Sequence, residues 1–372
     1  MNLDLNEEQQ ILNDTARDFL RGECPKALVR DARSAREPYN KGLWRRIAEL
    51  GWMGVAIPEE YGGFGGSFLD LTVLIEAMGE ACLPLPFFNT VAIVGTALQL
   101  SDAEDLKREL LPKIAMGELI ASFALIEPGN TYGTTNIQSH AVGSEDGYFL
   151  TGHKLFVEYA EAADQLLTVA NIPGKGLGLF LIDTTALGVE MSRIPTLDDA
   201  KQCEVRFNNV AVPAHRALAI GDTADTLLQR LEEISAVGKC AEMVGAIQPV
   251  LDMSVSYVKD REQFGQPIGA FQAVQHHCAN MAVEVDCSRY ITKLAASKIS
   301  AGEPAAKEAA MAKSYTSKAA VRVAKLGHQT HGAISFCDEH DMHLYLRRCH
   351  AASVAFGDVK YHLEKVAQEI GL

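Results

Sequence analysis

The hydrophobic pattern of the chain changes its period twice, and this change limits the folds that it can adopt. Residues 1–117 and 218–372 carry apolar side chains at helical spacing, most clearly along Leu227–Lys259. Residues 118–217 instead carry short apolar stretches separated by turn signals. We therefore predict an α+β multidomain protein. An N-terminal helical domain (1–117) and a C-terminal helical bundle (218–372) flank a central antiparallel β-sandwich or barrel domain (118–217).

Further elements follow from the same patterns. In the last block, two more long helices are predicted over Gln272–Ser300 and Pro304–His328. Near the N-terminus, Asn6-Glu-Glu-Gln is typical of a helix start. The central block contains seven predicted strands: Ile120–Leu125, Tyr148–Leu150, Lys154–Val157, Leu166–Val169, Gly178–Ile182, Val189–Ser192 and Cys203–Phe207.

Charge and composition exclude several classes of protein. The 372 residues include 34 Lys+Arg and 48 Asp+Glu, a net charge of −14, which repels phosphate backbones and makes nucleic acid a poor partner. The longest apolar runs, such as Thr90–Leu98, are shorter than the roughly 20 residues of a membrane span. An acidic N-terminus without an apolar stretch and eight cysteines without CxxC spacing predict a cytoplasmic protein with no metal site.

The strongest local motif is Arg261-Glu-Gln-Phe-Gly-Gln-Pro-Ile-Gly-Ala-Phe-Gln. One interpretation is structural, because the glycines and the proline need only end one helix and begin the next. The other is functional. Arg261 and Gln272 flank the turn, and an arginine beside a helix N-terminus is suited to hold a pyrophosphate.

The same segment resembles the R-x-x-F-G-x-x-I-x-x-F-Q signature of flavin-dependent acyl-CoA dehydrogenases. Five other segments are similar to parts of that family in the same order, so the resemblance covers nearly the whole chain. The segments are Gly51-Trp-Met-Gly-Val-Ala-Ile-Pro-Glu-Glu-Tyr-Gly-Gly-Phe-Gly, Ala124-Leu-Ile-Glu-Pro-Gly, Gly152-His-Lys-Leu-Phe-Val, Val205-Arg-Phe-Asn-Asn-Val-Ala-Val-Pro and Gln329-Thr-His-Gly.

The resemblance implies an oxidoreductase with FAD as cofactor and an acyl-CoA thioester as substrate. In this family a carboxylate removes the α-proton while the β-hydrogen leaves as hydride to flavin N5. Electrons then pass to an electron-transferring flavoprotein. The family assembles as dimers or tetramers, and some members are heterotetramers of two homologous chains. The C-terminal region resembles subunits of heteromeric pimeloyl-CoA and steroid side-chain dehydrogenases.

Carried over by position, the resemblance assigns cofactor-binding residues in two sets. The first lines the isoalloxazine, and the second holds the ADP part of a flavin bound mainly by the adjacent subunit. The acyl pocket is expected around residues 82–98 and 232–244. The first set is Leu125, Glu127, Pro128, Phe156, Val157 and Glu158, and the second is Arg261, Phe264, Gln272, Gln329 and Gly332.

The catalytic base is not where the family usually has it. Many members carry a Glu at the position of Phe356, and others carry it at the position of Ser235. Asp358 lies close to the first of these positions. On the long helix, Glu242 is two turns from Ser235, which makes it a candidate base. Because Lys239 lies three residues before Glu242, a structural ion pair is the alternative interpretation.

Other departures point to an unusual substrate or a partial flavin site. After Pro128 the family usually has a small glycine- and serine-rich turn, but this chain has Asn130-Thr-Tyr-Gly-Thr-Thr. Glu158 stands where Thr or Ser is usual, and Ala333 and Ser335 replace two glycines after Gln329.

Two functions are therefore predicted. The first is FAD-dependent α,β-dehydrogenation of an acyl-CoA whose acyl group is branched, cyclic or dicarboxylic. The alternative is a non-catalytic subunit that completes the flavin site of a homologous partner.

Overall fold

A computed structural model describes residues 3–129 and 132–372. Its elements follow the predicted order of helices, strands and helices, so the predicted fold class is confirmed. A π-helix, Phe88–Gly95, follows α4. The α-helices are α1 Glu7–Glu23, α2 Lys26–Ser34, α3 Lys41–Glu49, α4 Phe68–Ala81, α5 Thr96–Leu100, α6 Glu104–Ala115, α7 Asp222–Asp260, α8 Gln272–Ser300, α9 Ala306–His331, α10 Met342–Val354 and α11 Val359–Glu369.

Helix boundaries reflect local capping chemistry. The first helix begins after Asn6, whose side chain accepts from the Gln9 N–H while the Gln9 side chain accepts from the Asn6 N–H. Helix α7 begins five residues before the predicted start. Asp222 and Asp225 lie in its first turn, where negative charge stabilises a helix. Helix α8 has the predicted bounds, and α9 ends at His331, directly before Gly332, whose φ is +68°.

The described residues of the central block form one eight-stranded sheet. Most pairings are antiparallel, while β4 pairs in parallel with both β1 and β2. The order along the sheet is β6-β7-β3-β2-β4-β5-β8, with β1 beside β4. The strands are β1 Ala121–Ala124, β2 His140–Gly143, β3 Gly147–Glu158, β4 Gln165–Ile172, β5 Gly176–Asp183, β6 Val189–Ile194, β7 Gln202–Pro213 and β8 Ala217–Ile220.

The strand predictions were wrong in two respects. Tyr148–Leu150 and Lys154–Val157 are not separate strands but parts of β3, whose register against β7 shifts twice along its length. The strands β2 and β8 were missed because each has only four residues and little apolar alternation.

The described residues divide into two compact units, each discontinuous in sequence. The helical unit comprises residues 3–30, 68–83 and 236–372, and the β-containing unit comprises residues 31–67, 84–129 and 132–235. The predicted division at residues 117 and 217 stays a prediction. Across residues 3–129 and 132–372, no helix combines the length and apolarity that a membrane crossing requires.

Within the helical unit, α4 and α7 cross at very short distance. A Cβ added to Gly79 would lie 2.2 Å from the carbonyl oxygen of Glu242, and one added to Gly245 would lie 1.8 Å from that of Glu76. Glycine is therefore required at this crossing, which fixes the segment of α7 that carries Glu242.

Candidate active site

The loop after β1 carries three of the residues assigned to the isoalloxazine side. Leu125 is half-buried and Pro128 is exposed, whereas Glu127 is 2% exposed. Glu127 and Pro128 lie at the edge of an open cleft of about 400 Å³ on the sheet. Asn130 and Thr131, in the turn predicted to differ from the family, lie outside the described residues.

Glu127 forms a buried ion pair that fixes this loop to the sheet. Its Oε1 lies 2.6 Å from Nζ of Lys154, which is fully buried. The N–H groups of Gln138 and Ser139 also donate to its carboxylate, at 2.5 and 3.1 Å. Burial raises the pKa of Glu127, but Lys154 and these donors outweigh it and hold the pKa below its usual value. Burial also lowers the pKa of Lys154 to about 8. The pair therefore positions the loop.

The end of β3 has an irregular backbone. Its register against β7 shifts between Lys154 and Val157, and Phe156 and Tyr159 adopt φ values of +57° and +56°. Such left-handed non-glycine residues are strained and are frequent near functional sites. As a result the ring of Phe156 is 52% exposed, while the side chain of Val157 is fully buried. Only the main chain of Val157 can therefore contact a ligand.

Glu158, the last residue of β3, is half-buried and hydrogen-bonded to a residue that the sequence analysis did not single out. Asn89 Nδ2 donates to Glu158 Oε2 at 2.9 Å. Asn89 is 3% exposed and lies on the π-helix Phe88–Gly95, which is apolar apart from Asn89 and Thr90. The sequence signal that could have identified Asn89 is a single amide side chain within an apolar segment.

The residues assigned to the ADP part lie in the helical unit, at the ends of long helices. Arg261 follows α7, Gln272 is the first residue of α8, and Gln329 and Gly332 lie at the end of α9. All four are exposed. Phe264 lies in a two-stranded hairpin of Glu262–Gln263 and Gln266–Pro267, with φ of +54° and 92% of its surface exposed.

A ring stack connects two of these helix ends. The rings of Tyr257 and His331 lie 4.5 Å apart, which places the end of α7 beside the end of α9. The structure therefore brings Arg261 and Gln329 into the same region of the helical unit. The eleven assigned residues form two groups, one in each compact unit.

Glu242, the candidate base, is held between two cations. Its Oε2 lies 2.8 Å from Lys239 Nζ, and its Oε1 lies 3.0 Å from Arg348 Nη1. Burial raises the pKa of Glu242, but the two cations and their hydrogen bonds lower it to about 2. A base near neutral pH needs a higher pKa. The assignment of Glu242 as the base stays a prediction, and this geometry favours the structural ion pair.

Phe356 occupies a fixed turn between α10 and α11. Its φ is +54°, and Lys313 Nζ donates to the carbonyl oxygens of Ser353 and Gly357 on either side, at 3.0 and 2.8 Å. The neighbouring Asp358 caps α11 by accepting from the N–H of Tyr361 at 2.8 Å. The carboxylate beside the family's usual base position is therefore used as a helix cap.

Ser235, at the other usual base position, is 1% exposed. Within the described part of the chain, its hydroxyl has no hydrogen-bond partner. Among those same residues, no group of three or more His, Cys, Asp or Glu is arranged to hold a metal ion. All eight cysteines are free thiols.

Comparison with protein families gives matches along almost the whole chain. The family models described as acyl-CoA dehydrogenase N-terminal, middle and C-terminal domain match residues 6–118, 122–210 and 231–371. The probable acyl-CoA dehydrogenase YngJ of Bacillus subtilis (strain 168) is 30% identical over 382 residues, covering 100% of both chains.

Solved structures agree with these matches. A chain of the ChsE4-ChsE5 complex from Mycobacterium tuberculosis is 25% identical, with a TM-score of 0.92 over 100% of this chain and 99% of that chain. A variant of the Tcur3481-Tcur3483 steroid ACAD is 28% identical, with a TM-score of 0.89 over 98% of each chain. Because the three family models match in order along most of the chain, the chain belongs to the acyl-CoA dehydrogenase family.

Proposed function

We propose that this protein catalyses FAD-dependent α,β-dehydrogenation of an acyl-CoA thioester. The observation that carries the proposal is the strained end of β3, where a bulge and a left-handed Phe156 hold a large aromatic ring in solvent. Non-glycine residues held in the left-handed region cluster at active and ligand-binding sites. Phe156 lies at the position that the family resemblance assigns to the flavin ring.

The residues of the β-containing unit fit a flat, mostly apolar ring system. Phe156 offers an exposed aromatic face, and Leu125 is partly exposed after β1. The buried pair of Glu127 and Lys154 holds the loop after β1 against β3. These residues would bind and orient the isoalloxazine, which accepts the β-hydrogen as hydride when it is bound.

The residues of the helical unit fit the anionic part of FAD. Arg261 is an exposed cation in a chain of net charge −14, and Gln272 lies at the N-terminus of a 29-residue helix. A helix N-terminus and a guanidinium both favour a diphosphate. The exposed Phe264 ring and the exposed Gln329 and Gly332 would cover the rest of the ADP part. In this proposal, the flavin that they contact is bound mainly by a neighbouring subunit.

The proposed substrate is a branched, cyclic or dicarboxylic acyl-CoA. The similarity to the Tcur3481-Tcur3483 steroid ACAD, whose name indicates a steroid substrate, supports a bulky acyl group. An electron-transferring flavoprotein would reoxidise the cofactor, and the cytoplasm is the proposed location. Assembly as a homo-oligomer or a heterotetramer is supported by the similarity to a chain of the ChsE4-ChsE5 complex.

A second function is favoured by the base positions. Phe356 and Ser235 cannot accept a proton near neutral pH, and Glu242 is held by two cations. A non-catalytic subunit would need no base and would lend Arg261 and Gln272 to the flavin of a homologous partner.

Flavin stoichiometry separates the two functions. The chain is purified alone, its flavin content is measured by absorbance after unfolding, and a panel of thioesters is added anaerobically with a redox dye. Dehydrogenation predicts about one FAD per chain and thioester-dependent bleaching. A colourless protein that acquires flavin only with a homologous chain supports the second function, and a protein without flavin in either state contradicts both.

A further inference from the structure

The helical unit contains a cavity that none of the residues assigned to the flavin lines. It has a volume of about 150 Å³, and its walls come from α1, α4, α7 and α8. Pockets for drug-sized ligands typically measure about 300–1,000 Å³, whereas one water molecule takes up about 30 Å³. The cavity therefore has room for a small ion with a few water molecules, but not for a nucleotide.

The lining of this cavity is mainly cationic. Arg17 of α1 lines it together with Arg289 and Lys293 of α8. Glu76 of α4 also lines it, and the other lining side chains of the described residues are uncharged. Three positive charges and one negative charge thus surround the cavity, in a chain whose net charge is −14. Such a local excess of positive charge favours an anion.

The two arginines are fixed by carboxylates. Glu76 Oε1 accepts from Arg289 Nε at 3.1 Å and from Arg17 Nη2 at 3.5 Å, so it bridges the two guanidinium groups. Arg17 also pairs with Glu80 at 2.7 Å. Arg289 also pairs with the exposed Asp286 at 3.4 Å. Neither Glu80 nor Asp286 lines the cavity. The guanidinium groups therefore form a rigid, positively charged part of its wall.

Lys293 is held differently from the two arginines. Within residues 3–129 and 132–372, its ammonium forms no hydrogen bond and no ion pair, although the side chain is half-buried. Burial lowers the pKa of Lys293, and Arg289 lowers it too. Glu76 and Asp4 act in the opposite direction but do not restore the ordinary pKa. A partly desolvated ammonium beside a guanidinium is stabilised when an anion binds between them.

We propose that this cavity binds a small oxyanion of the size of inorganic phosphate and that Lys293 holds it. The ammonium of Lys293 directs its N–H donors to the oxygens of the ion, and the guanidinium groups of Arg17 and Arg289 add positive potential. The bound ion joins α1 to α8. Because the cavity is separate from the residues assigned to FAD, the inference does not depend on the proposed dehydrogenation.

The test measures phosphate binding directly. The full-length protein, with FAD added to saturation, is dialysed to equilibrium against radiolabelled inorganic phosphate at constant ionic strength. Wild type should bind about one phosphate per chain. Lys293→Met should weaken this binding about tenfold or more, since a hydrogen bond to a charged group is lost. Lys318→Met is the matched control, because Lys318 is an exposed lysine of α9 that does not line the cavity. It should bind phosphate as wild type does.

Thermal unfolding provides a second measurement. An ion that binds only the folded protein raises the melting temperature, but phosphate also stabilises proteins without a site, through exclusion from their surface. The non-specific part should be the same in both lysine variants. We therefore expect phosphate to raise the melting temperatures of wild type and Lys318→Met by equal amounts, and that of Lys293→Met by less.

Three results overturn the inference. The first is the absence of saturable phosphate binding to wild type, and the second is equal affinity in wild type and Lys293→Met. The third is competition by CoA, which would show that phosphate occupies a nucleotide site instead. Should Lys293→Met fail to fold, Lys293→Gln takes its place with the same criteria. None of these results bears on flavin content or dye reduction, which test the proposed function separately.

Discussion

Arg348 forms the second of two ion pairs that hold the carboxylate of Glu242. Arg348 Nη1 lies 3.0 Å from Glu242 Oε1, and Arg348 Nη2 donates to the carbonyl oxygens of Cys82 and Leu83 at 2.9 and 3.2 Å. Lys239 occupies the other carboxylate oxygen. Glu242 therefore ties α7 to α10 and to the end of α4, and its chemistry is that of a structural ion pair.

Replacing Glu242 by Gln tests this interpretation. The substitution removes the carboxylate that neutralises the buried Lys239 and the half-buried Arg348, which typically costs about 3 kcal/mol of the free energy of unfolding. We expect a lower urea midpoint, with the turnover of the folded enzyme within tenfold of wild type. A loss of turnover of 1,000-fold at an unchanged urea midpoint would instead identify Glu242 as the base.

The ion pairs also predict how stability depends on pH. The pKa of Glu242 is about 2 in the folded protein against an ordinary value of 4.5, so the unfolded chain binds more protons between these values. Its contribution is fully present above about pH 4.5 and is lost as the pH falls through about 2. The pKa of Glu127 is shifted in the same direction.

Thermal unfolding between pH 6 and pH 3 measures this loss. The melting temperature of wild type should fall with decreasing pH more steeply than that of Glu242→Gln, which lacks one of the titrating groups. Parallel curves for the two proteins would show that the pair of Glu242 with its cations contributes no acid sensitivity.

The Glu127–Lys154 pair is expected to hold the loop after β1, to which the proposal assigns part of the flavin site, against the sheet. In Lys154→Met, the buried carboxylate loses its cation, at a typical cost of about 3 kcal/mol in the free energy of unfolding. Both the urea midpoint of unfolding and the FAD content of the purified protein should decrease. The double variant combines Glu127→Gln with Lys154→Met. If Glu127→Gln alone lowers the urea midpoint as much as the double variant does, the two residues act as one unit. Fully additive losses of the free energy of unfolding would contradict the pairing.

Arg261 is expected to hold FAD without contributing to the fold, because it is exposed at the end of α7. Arg261→Ala should lower the FAD content of the purified protein while the melting temperature of the apoprotein stays unchanged. Lys259→Ala removes an exposed cation two residues earlier and serves as the matched control. Equal FAD content in both variants would mean that Arg261 is only a helix-end charge.

Much of the fold could be predicted from the sequence because its signals are local. The helical period over α7 and α8, the Asn6 cap and the turn after Arg261 each depend on neighbouring residues. The Lys239–Glu242 pair was also foreseeable, since residues three apart share a helix face.

Contacts between residues that are distant in sequence could not be predicted from these local patterns. Arg348 lies 106 residues from Glu242 and Asn89 lies 69 residues from Glu158, and no spacing rule connects either pair. The same holds for β3, where pairing with β7 merges two predicted strands into one bulged strand and exposes Phe156. The strained features of the site depend on tertiary pairing, which a local pattern does not encode.

The central claim is tested most directly by the anaerobic absorbance spectrum of the chain purified alone. If the chain is an acyl-CoA dehydrogenase, we expect an oxidised flavin spectrum with about one FAD per chain, and bleaching of the visible flavin absorption on addition of a thioester. A protein that binds no flavin, alone or mixed with homologous chains, would contradict the account.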